Sequence, residues 1–192
     1  MSTLIIDTSS NRTLVGLIAS ERVEWEECHE GATDHGEVLP ILVSRALHCA
    51  VKISSDIDGV MVGMGPGPYT GLRIGIVFGQ TFARARGISW IGKCSLDAIV
   101  IPHHSKSTSY IVTTDARRKE IYWAKYEDGK RTVGPAVGSI TDINELSEPK
   151  FGFGFGEIYY PSAWGIFTAQ EKINEPLYLR RPDAVPTLER CP

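Results

Sequence analysis

The sequence predicts an α/β fold composed of two unequal halves, each with a mixed sheet. The first observation is a pattern that occurs twice: a strand ending in aspartate, a polar turn, a second strand, a turn and a third strand, with Asp7 and Asp115 as the two aspartates. The second observation is that a helix, a strand and another helix follow the first copy. We therefore expect duplicated mixed-sheet subdomains, one over 1–104 and a shortened one over 105–192.

Composition and charge exclude several classes of protein. The chain has 192 residues, of which 20 are Lys or Arg and 23 are Asp or Glu. Hydrophobic residues make up 42% of the chain, as in soluble globular proteins. This excludes a disordered tail, a collagen-like fibre and a basic arm that binds nucleic acid by charge alone. No apolar run approaches the roughly 20 residues of a membrane-spanning helix, and the N-terminus lacks the pattern of a secretory signal. Four scattered cysteines predict reduced thiols, so we expect a cytoplasmic protein without membrane contact.

The first half is predicted to begin with three strands separated by turn-forming residues. These strands lie over 4–6, 13–19 and 23–28. A helix over 36–51 follows, and Asp34 and Glu37 have the spacing of a capping box at its start. Apolar residues extend over more than one face of this helix, which indicates burial on two sides or a partner chain on one of them.

A buried strand over 59–63 is predicted to lead through a glycine-rich segment into a second helix over 71–86. Another strand is predicted over 88–91, and Ser95 can cap a helix that continues to Ile101.

The polar run over 103–109 is the best candidate for a domain boundary. The strand pattern returns after it, over 110–114, 120–126 and 132–137, with Asp128-Gly129 as a hairpin signal. Beyond Ile143 we predict only strand-like pieces, over 151–156 and 166–167, and an extended tail.

The segment from Gly63 to Gly75 lies between a strand and a helix, where backbone amides can bind an anion. It has neither the lysine of a Walker A motif nor the third glycine of GxGxxG, and its two prolines remove amide donors. It is therefore either a stiff strand-to-helix turn or an unusual anion site.

The second helix has a stripe without side chains, since Gly71, Gly75, Gly79 and Ala83 recur every four residues. Each glycine inside a helix costs about 0.8–1 kcal/mol relative to alanine, so something must pack closely against this stripe. It is either the protein's own sheet or the helix of another chain. Because the helix over 36–51 is also apolar on several faces, a partner's helix is the preferred interpretation.

Five motifs resemble the bacterial TsaB (YeaZ) family. They are Asp7-Thr8-Ser9, His35-Gly36-Glu37, the segment 65–75, the segment 115–120 and the segment 176–180. The resemblance is strong over about 1–125 and returns in the tail. It implies an actin-like ATPase fold, the fold of sugar kinases and heat-shock ATPases, in agreement with the duplicated pattern.

The resemblance also implies a function. TsaB proteins are subunits of the machinery that makes threonylcarbamoyladenosine in tRNA, at the adenosine beside the anticodon. They pair through helices with the catalytic paralogue TsaD, and the small ATPase TsaE completes the complex. A TsaB chain on its own forms a similar homodimer, so a homodimer is expected when this chain is alone.

The sequence further indicates that this chain does not perform the chemistry itself. TsaD-like paralogues place two metal-binding histidines, spaced HxxxH, after the strand that corresponds to 88–91. Here Ser95 and Ile99 occupy those positions, and isoleucine cannot ligate a metal. We therefore expect no catalytic residue, metal or intrinsic cofactor, with ATP and magnesium on the partner subunits and tRNA reached only through the complex.

The resemblance and the helix patterns together give two candidate sites. The first is the remnant of a nucleotide site at Asp7, Thr8, Gly65 and Gly67. The second is a partner interface on the two helices, composed of His35, Glu37, Leu39, Leu42, Val43, Ala46, Gly71, Arg73, Gly75, Gly79 and Ala83. A cation early in a helix is disfavoured by the helix dipole, so Arg73 is expected to have a carboxylate or phosphate partner, or a contact across a subunit boundary.

Two other functions stay open on the sequence alone. One is an autonomous nucleotide-binding ATPase or peptidase of the actin-like superfamily, in which the glycine-rich turn faces Asp7. The other is direct tRNA binding through the basic turn at 117–119, which the net charge of −3 disfavours.

Overall fold

A computed structural model of the protein describes residues 1–101 and 109–180. Its first sheet begins with an antiparallel meander. The strands are β1 (Ser2–Asp7), β2 (Arg12–Ala19) and β3 (Arg22–Glu30). Helix α1 (His35–Cys49), strand β4 (Gly59–Gly63), helix α2 (Tyr69–Arg86) and strand β5 (Ser89–Lys93) follow. Strand β4 is parallel to β1, and β5 is parallel to β4, which gives the strand order β3-β2-β1-β4-β5.

The second sheet repeats this arrangement on a smaller scale. Its elements are β6 (Tyr110–Asp115), β7 (Glu120–Glu127), β8 (Lys130–Ser139), the short helix α3 (Ile140–Asn144) and β9 (Lys150–Gly152). The order β8-β7-β6-β9, with β9 parallel to β6, matches β3-β2-β1-β4. Asp7 and Asp115 end the equivalent central strands, so the duplication that the sequence predicted is present.

Strand β1 is buried on both faces because each face has its own cover. Leu4 and Ile6 face α1 and α2, whereas Ile5 faces a short helix, α4 (Ala163–Thr168), on the opposite side. This explains why β1 is a continuous apolar run rather than an alternating one. Residues from beyond the second sheet thus complete the core of the first.

The predicted domain limit at 104 lies in 102–108, outside the described residues, and stays a prediction. Within the described residues the two sheets do not mix strands, but α4 and the segment after it return to the first sheet. Within the same residues, no helix has the length and apolarity needed to cross a bilayer.

Three local predictions were wrong. The helix from Ser95 to Ile101 is only a 3-10 turn (Leu96–Ala98), because Ile99 is extended and bridges to Pro161. The strand over 151–156 ends at Gly152, since the chain turns through glycines with positive φ. The segment 166–167 lies in α4, whose N-cap Ser162 accepts a hydrogen bond from the backbone N–H of Gly165.

The capping box at the start of α1 does not form. The Asp34 side chain makes no cap hydrogen bond, and its Oδ2 instead lies 2.8 Å from Nε2 of His29 on β3. The backbone carbonyl of Asp34 accepts from the N–H groups of Glu37 and Val38. Asp34 therefore begins the helix through its backbone, while its side chain ties the helix to the sheet.

Residues 173–180 form a strap that crosses from the first sheet to the second. Ile173 pairs with Gly92 on the edge strand β5, and the N–H of Leu177 donates to the carbonyl of Met64 (2.8 Å). At its far end Arg180 donates to the carbonyl of Ala116 (2.6 Å) in the turn after β6. The strap covers an edge of the first sheet and holds the two halves together.

Candidate functional site

Asp7 is the last residue of β1, and its carboxyl accepts hydrogen bonds from within the chain. The backbone N–H and the hydroxyl of Ser9 donate to Oδ1 (2.9 and 2.7 Å), and the hydroxyl of Ser95 donates to Oδ2 (2.6 Å). Ser95 in turn accepts from the N–H of Gly65 (3.1 Å), which links the glycine-rich turn to β1. Asp7 is only 2% exposed, and this burial raises its pKa against the opposing effect of the hydrogen bonds.

The other predicted nucleotide-site residues are also held by contacts within the chain. The Thr8 hydroxyl donates to the carbonyl of Gly71 (2.7 Å) at the start of α2. Gly65 has a φ of +91°, which favours glycine, and Gly67 packs so closely on the Ser9 backbone that a side chain would not fit. The structure thus brings Asp7, Thr8, Gly65 and Gly67 together at one end of the first sheet, as contacts within a tight turn.

A cleft between the two sheets lies beside this turn. Its volume is about 150 Å³, and Ser10, Asp115, Arg117 and Tyr160 are among its lining residues. Pockets that hold small-molecule ligands are usually about 300–1,000 Å³. Because the Asp7 oxygens are already bonded and the cleft is small, this residue set does not fit a magnesium nucleotide.

The turn after β6 repeats the turn after β1. The N–H of Arg117 donates to Oδ1 of Asp115 (2.7 Å), as the N–H of Ser9 does to Asp7. Three consecutive basic residues, Arg117, Arg118 and Lys119, have positive φ values and are exposed. In the described ranges no group of three or more His, Cys, Asp or Glu comes together as metal ligands would.

Most residues predicted for the partner interface are buried within the chain. On α1 these are His35, Leu39, Leu42, Val43 and Ala46. The four apolar residues pack in the core of the first sheet, and Nδ1 of His35 lies 2.8 Å from the Thr13 hydroxyl. Burial lowers the pKa of His35. Of the α1 residues predicted for the interface, only Glu37 is exposed.

The glycine stripe of α2 faces the chain's own sheet. A Cβ on Gly71 would lie 2.7 Å from the Thr8 carbonyl, and one on Gly79 would lie 2.5 Å from the Val62 side chain. Gly75 is packed against Thr8 in the same way, and Ala83 is buried. The sequence allowed either the chain's own sheet or a partner's helix against this stripe. The preferred interpretation, a partner's helix, was wrong, because the stripe packs on the chain's own sheet.

The surface that α1 and α2 present to solvent is a different face, and of the residues predicted for the interface only Leu39 and Arg73 line it. Between the helices lies an apolar groove of about 770 Å³, the α1–α2 groove. Its lining residues are Gly36, Leu39, Pro40, Tyr69, Thr70, Arg73, Ile74, Val77, Phe78, Thr81, Phe82 and Ala85. The spacing of Ile74, Phe78 and Phe82, four residues apart, is the signal that could have identified it.

Arg73 is at one end of the groove and is held by an aromatic pair. Its Nη1 donates to the Tyr69 hydroxyl (3.2 Å), and its guanidinium carbon lies 5.2 Å from the centroid of the Tyr69 ring. The ring of Tyr178, on the strap, packs against that of Tyr69 with centroids 4.8 Å apart. We call Tyr69, Arg73 and Tyr178 the Arg73 platform.

Comparisons with known proteins point to one family. The model of the TsaD family, described as tRNA N6-adenosine threonylcarbamoyltransferase, matches residues 29–152, more than half of the chain. An uncharacterized protein of Mycobacterium tuberculosis is 38% identical over 95% of this chain and 93% of its own length. Escherichia coli TsaB, a tRNA threonylcarbamoyladenosine biosynthesis protein, is 32% identical over 66% of this chain. This chain spans only part of some of these relatives. It covers 55% of E. coli TsaB and 56% of an uncharacterized Mycobacterium leprae protein to which it is 38% identical.

Two solved structures from Pseudomonas aeruginosa share the fold. A protein described as similar to the peptidase YEAZ has a TM-score of 0.76 at 20% identity and covers 93% of this chain and 99% of its own. YeaZ has a TM-score of 0.70 at 21% identity and covers 87% and 89%. At these identities the two matches show the fold alone, an α/β actin-like fold with duplicated mixed sheets. The family model, the TsaB relatives and the motifs at Asp7, 65–75 and 115–120 show that the chain belongs to the TsaB (YeaZ) family.

Proposed function

We propose that this chain acts in the biosynthesis of threonylcarbamoyladenosine in tRNA, as a non-catalytic, activating subunit that pairs with a TsaD-type transferase. The name of the related E. coli protein supports the pathway. The observation that carries the subunit role is the α1–α2 groove, an apolar surface that residues 1–101 and 109–180 leave uncovered.

The groove has the character of a protein-binding surface. Monomeric proteins rarely expose apolar patches larger than a few hundred Å², and such patches mark interaction sites. Val77, which lines the groove, is 55% exposed. The inner faces of both helices already pack on the sheet. We therefore attribute the exposed apolar residues of the groove to contact with a partner.

A TsaD-type chain is a suitable occupant because it has a related fold. The TsaD model matches this chain across α1 and α2, so such a partner presents an equivalent pair of helices. Two related chains then associate by packing helix pair on helix pair about an approximate two-fold axis. A second copy of this chain binds the same groove when the transferase is absent.

The remaining assignments belong to the complex. We assign ATP and magnesium to the partner subunits, a TsaE-like ATPase among them, because the cleft of this chain is small and its Asp7 oxygens are bonded internally. We assign tRNA binding to the partners as well, because this chain has a net charge of −3.

The test is reconstitution of threonylcarbamoyl transfer with and without this chain, together with a groove variant. We expect Val77→Asp to weaken binding to the TsaD-type subunit of the same organism at least tenfold and to lower transfer accordingly, because it places a charge in the apolar contact. Val51→Asp is the matched control, since Val51 is 92% exposed and outside the groove. Unchanged binding of Val77→Asp, measured by calorimetry, would refute the groove as the interface.

A further inference from the structure

We propose that the Arg73 platform receives a carboxylate from an Asp or Glu on the partner's helix surface and so fixes how the two chains pair. This inference rests on the proposed function, because it assigns the chemistry of the partner that binds the α1–α2 groove. It concerns one end of the groove, where the strap and α2 meet.

The first observation is that Arg73 is an isolated charge. Among the residues that line the groove it is the one ionic side chain. Within the described ranges no aspartate or glutamate lies within 4 Å of its guanidinium, whose contacts are to Tyr69. Arg73 also lies near the start of α2, where the helix dipole disfavours a cation. Arg73 is exposed, so a carboxylate from outside the chain can reach it.

The second observation is that the guanidinium is already oriented. The Tyr69 ring and hydroxyl hold one side of it, and Tyr178 supports the ring from the strap. The strap is itself fixed by the hydrogen bond from Leu177 to Met64. The remaining guanidinium N–H groups can therefore donate to a carboxylate in the paired geometry that arginine favours, with little further ordering.

The surroundings favour a protein carboxylate over a nucleic-acid phosphate. Ile74, Val77 and Phe78 continue from Arg73 along the groove, and apart from the hydroxyls of Tyr69 and two threonines the lining offers a hydrated phosphate backbone no hydrogen-bonding side chain beyond Arg73 itself. An apolar helix surface with one acidic residue matches both parts of the site. Tyrosine and arginine are also enriched among the residues that dominate binding at protein interfaces.

The experiment compares Arg73→Met and Arg73→Glu with the wild type in binding to the TsaD-type subunit. We expect Arg73→Met to weaken binding roughly tenfold or more and Arg73→Glu to weaken it further. Raising the salt concentration from 50 to 500 mM should weaken the wild type more than Arg73→Met, because the pair is ionic. Arg84→Glu is the matched control, an exposed charge reversal on α2 outside the groove.

A charge-reversal screen identifies the counter-charge. Each exposed Asp or Glu on the facing helices of the transferase is changed to Lys, and one of these variants should restore the binding of Arg73→Glu. Tyr178→Ala should also weaken binding, whereas Tyr178→Phe, which keeps the ring contact with Tyr69, should not. Circular dichroism and thermal unfolding confirm that each variant is folded.

The outcomes separate this inference from the proposed function. If Val77→Asp abolishes binding while the Arg73 variants bind as the wild type does, the groove stands and the carboxylate contact is overturned. If Val77→Asp binds normally, the proposed interface itself fails. If the Arg73 variants alter only self-association, measured by sedimentation, the counter-charge belongs to a second copy of this chain and the inference is overturned.

Discussion

The carboxyl of Asp7 shows how one side chain can organise a turn through hydrogen bonds. Three hydrogen bonds from Ser9 and Ser95 satisfy its oxygens, and the backbone of Gly63 lies so close that a side chain there would collide with Oδ2. The sequence predicted the local part, since an aspartate before Thr8-Ser9 is typical of a turn bonded to its own backbone. It could not predict Ser95, which is 88 residues away and was interpreted as a helix cap.

We expect Asp7→Asn to remain folded and to gain stability relative to the wild type as the pH rises. The raised pKa means that the folded state binds more protons than the unfolded state above pH 3.8, so the wild type loses free energy of unfolding with increasing pH until the folded pKa is passed. Asparagine has no such charge, and its amide can donate to Ser95. Urea unfolding between pH 4 and 7.5 measures the difference. A difference that is constant over this range would contradict the assigned shift.

Asp7→Ala provides the comparison at a fixed pH. Alanine leaves the N–H and hydroxyl of Ser9 and the hydroxyl of Ser95 without an acceptor, at a cost of about 1–3 kcal/mol for each buried group that stays unsatisfied. If Asp7 has a structural role, the free energy of unfolding of Asp7→Ala should be well below that of Asp7→Asn.

Helix α2 has two apolar faces with different functions. The glycine stripe brings the helix close to β1 and β4, and the face with Ile74, Phe78 and Phe82 is turned toward α1 and solvent. Periodicity revealed the stripe but could not decide which face meets the sheet, because both are free of charge apart from Arg73. Helix α4 was missed for another reason: it has only six residues, and it depends on the Ser162 cap and on packing against Ile5.

Gly79→Ala should destabilise the protein by about 1–3 kcal/mol, because the new methyl group would lie 2.5 Å from the Val62 side chain in a packed core. Gly36→Ala is the matched control on α1. Its Cβ would meet only the Ile74 side chain at 3.9 Å, and alanine is the better helix former. Urea unfolding of both variants tests the assignment of the stripe to the chain's own sheet. Equal stability of the two variants would reject it.

At the scale of the whole molecule, the two sheets are joined by a polar cluster as well as by the strap. Asp97, in the turn after β5, accepts from Nε of Arg131 (2.9 Å) and from the Tyr126 hydroxyl (2.8 Å), and Arg131 also bonds to Glu171. The sequence predicted the duplication, since it repeats a local pattern. It could not predict how the halves are fastened, because these partners are distant in the chain and follow from the packing of both sheets.

Arg131→Met should lower the free energy of unfolding by about 3 kcal/mol, because it leaves the Asp97 carboxylate largely buried without its cation. The Arg131 and Asp97 side chains are only 13% and 12% exposed. Arg45→Met, which removes a pair with Glu27 at the surface, should change stability by about 1 kcal/mol or less. The double variant Arg131→Met/Asp97→Asn should recover part of the loss. Similar effects of Arg131→Met and Arg45→Met would show that the cluster does not fasten the sheets.

The position of α4 also bears on how the protein is made. Ile5 and Ile18 are covered by Ala163 and Ile166, so this face of the first sheet stays open to water until those residues leave the ribosome. Domains of multidomain proteins generally fold as units, the N-terminal one first during synthesis. Here the first half is synthesised early but receives part of its core from the second. The nascent chain therefore exposes an apolar surface that is buried only after both sheets have been synthesised.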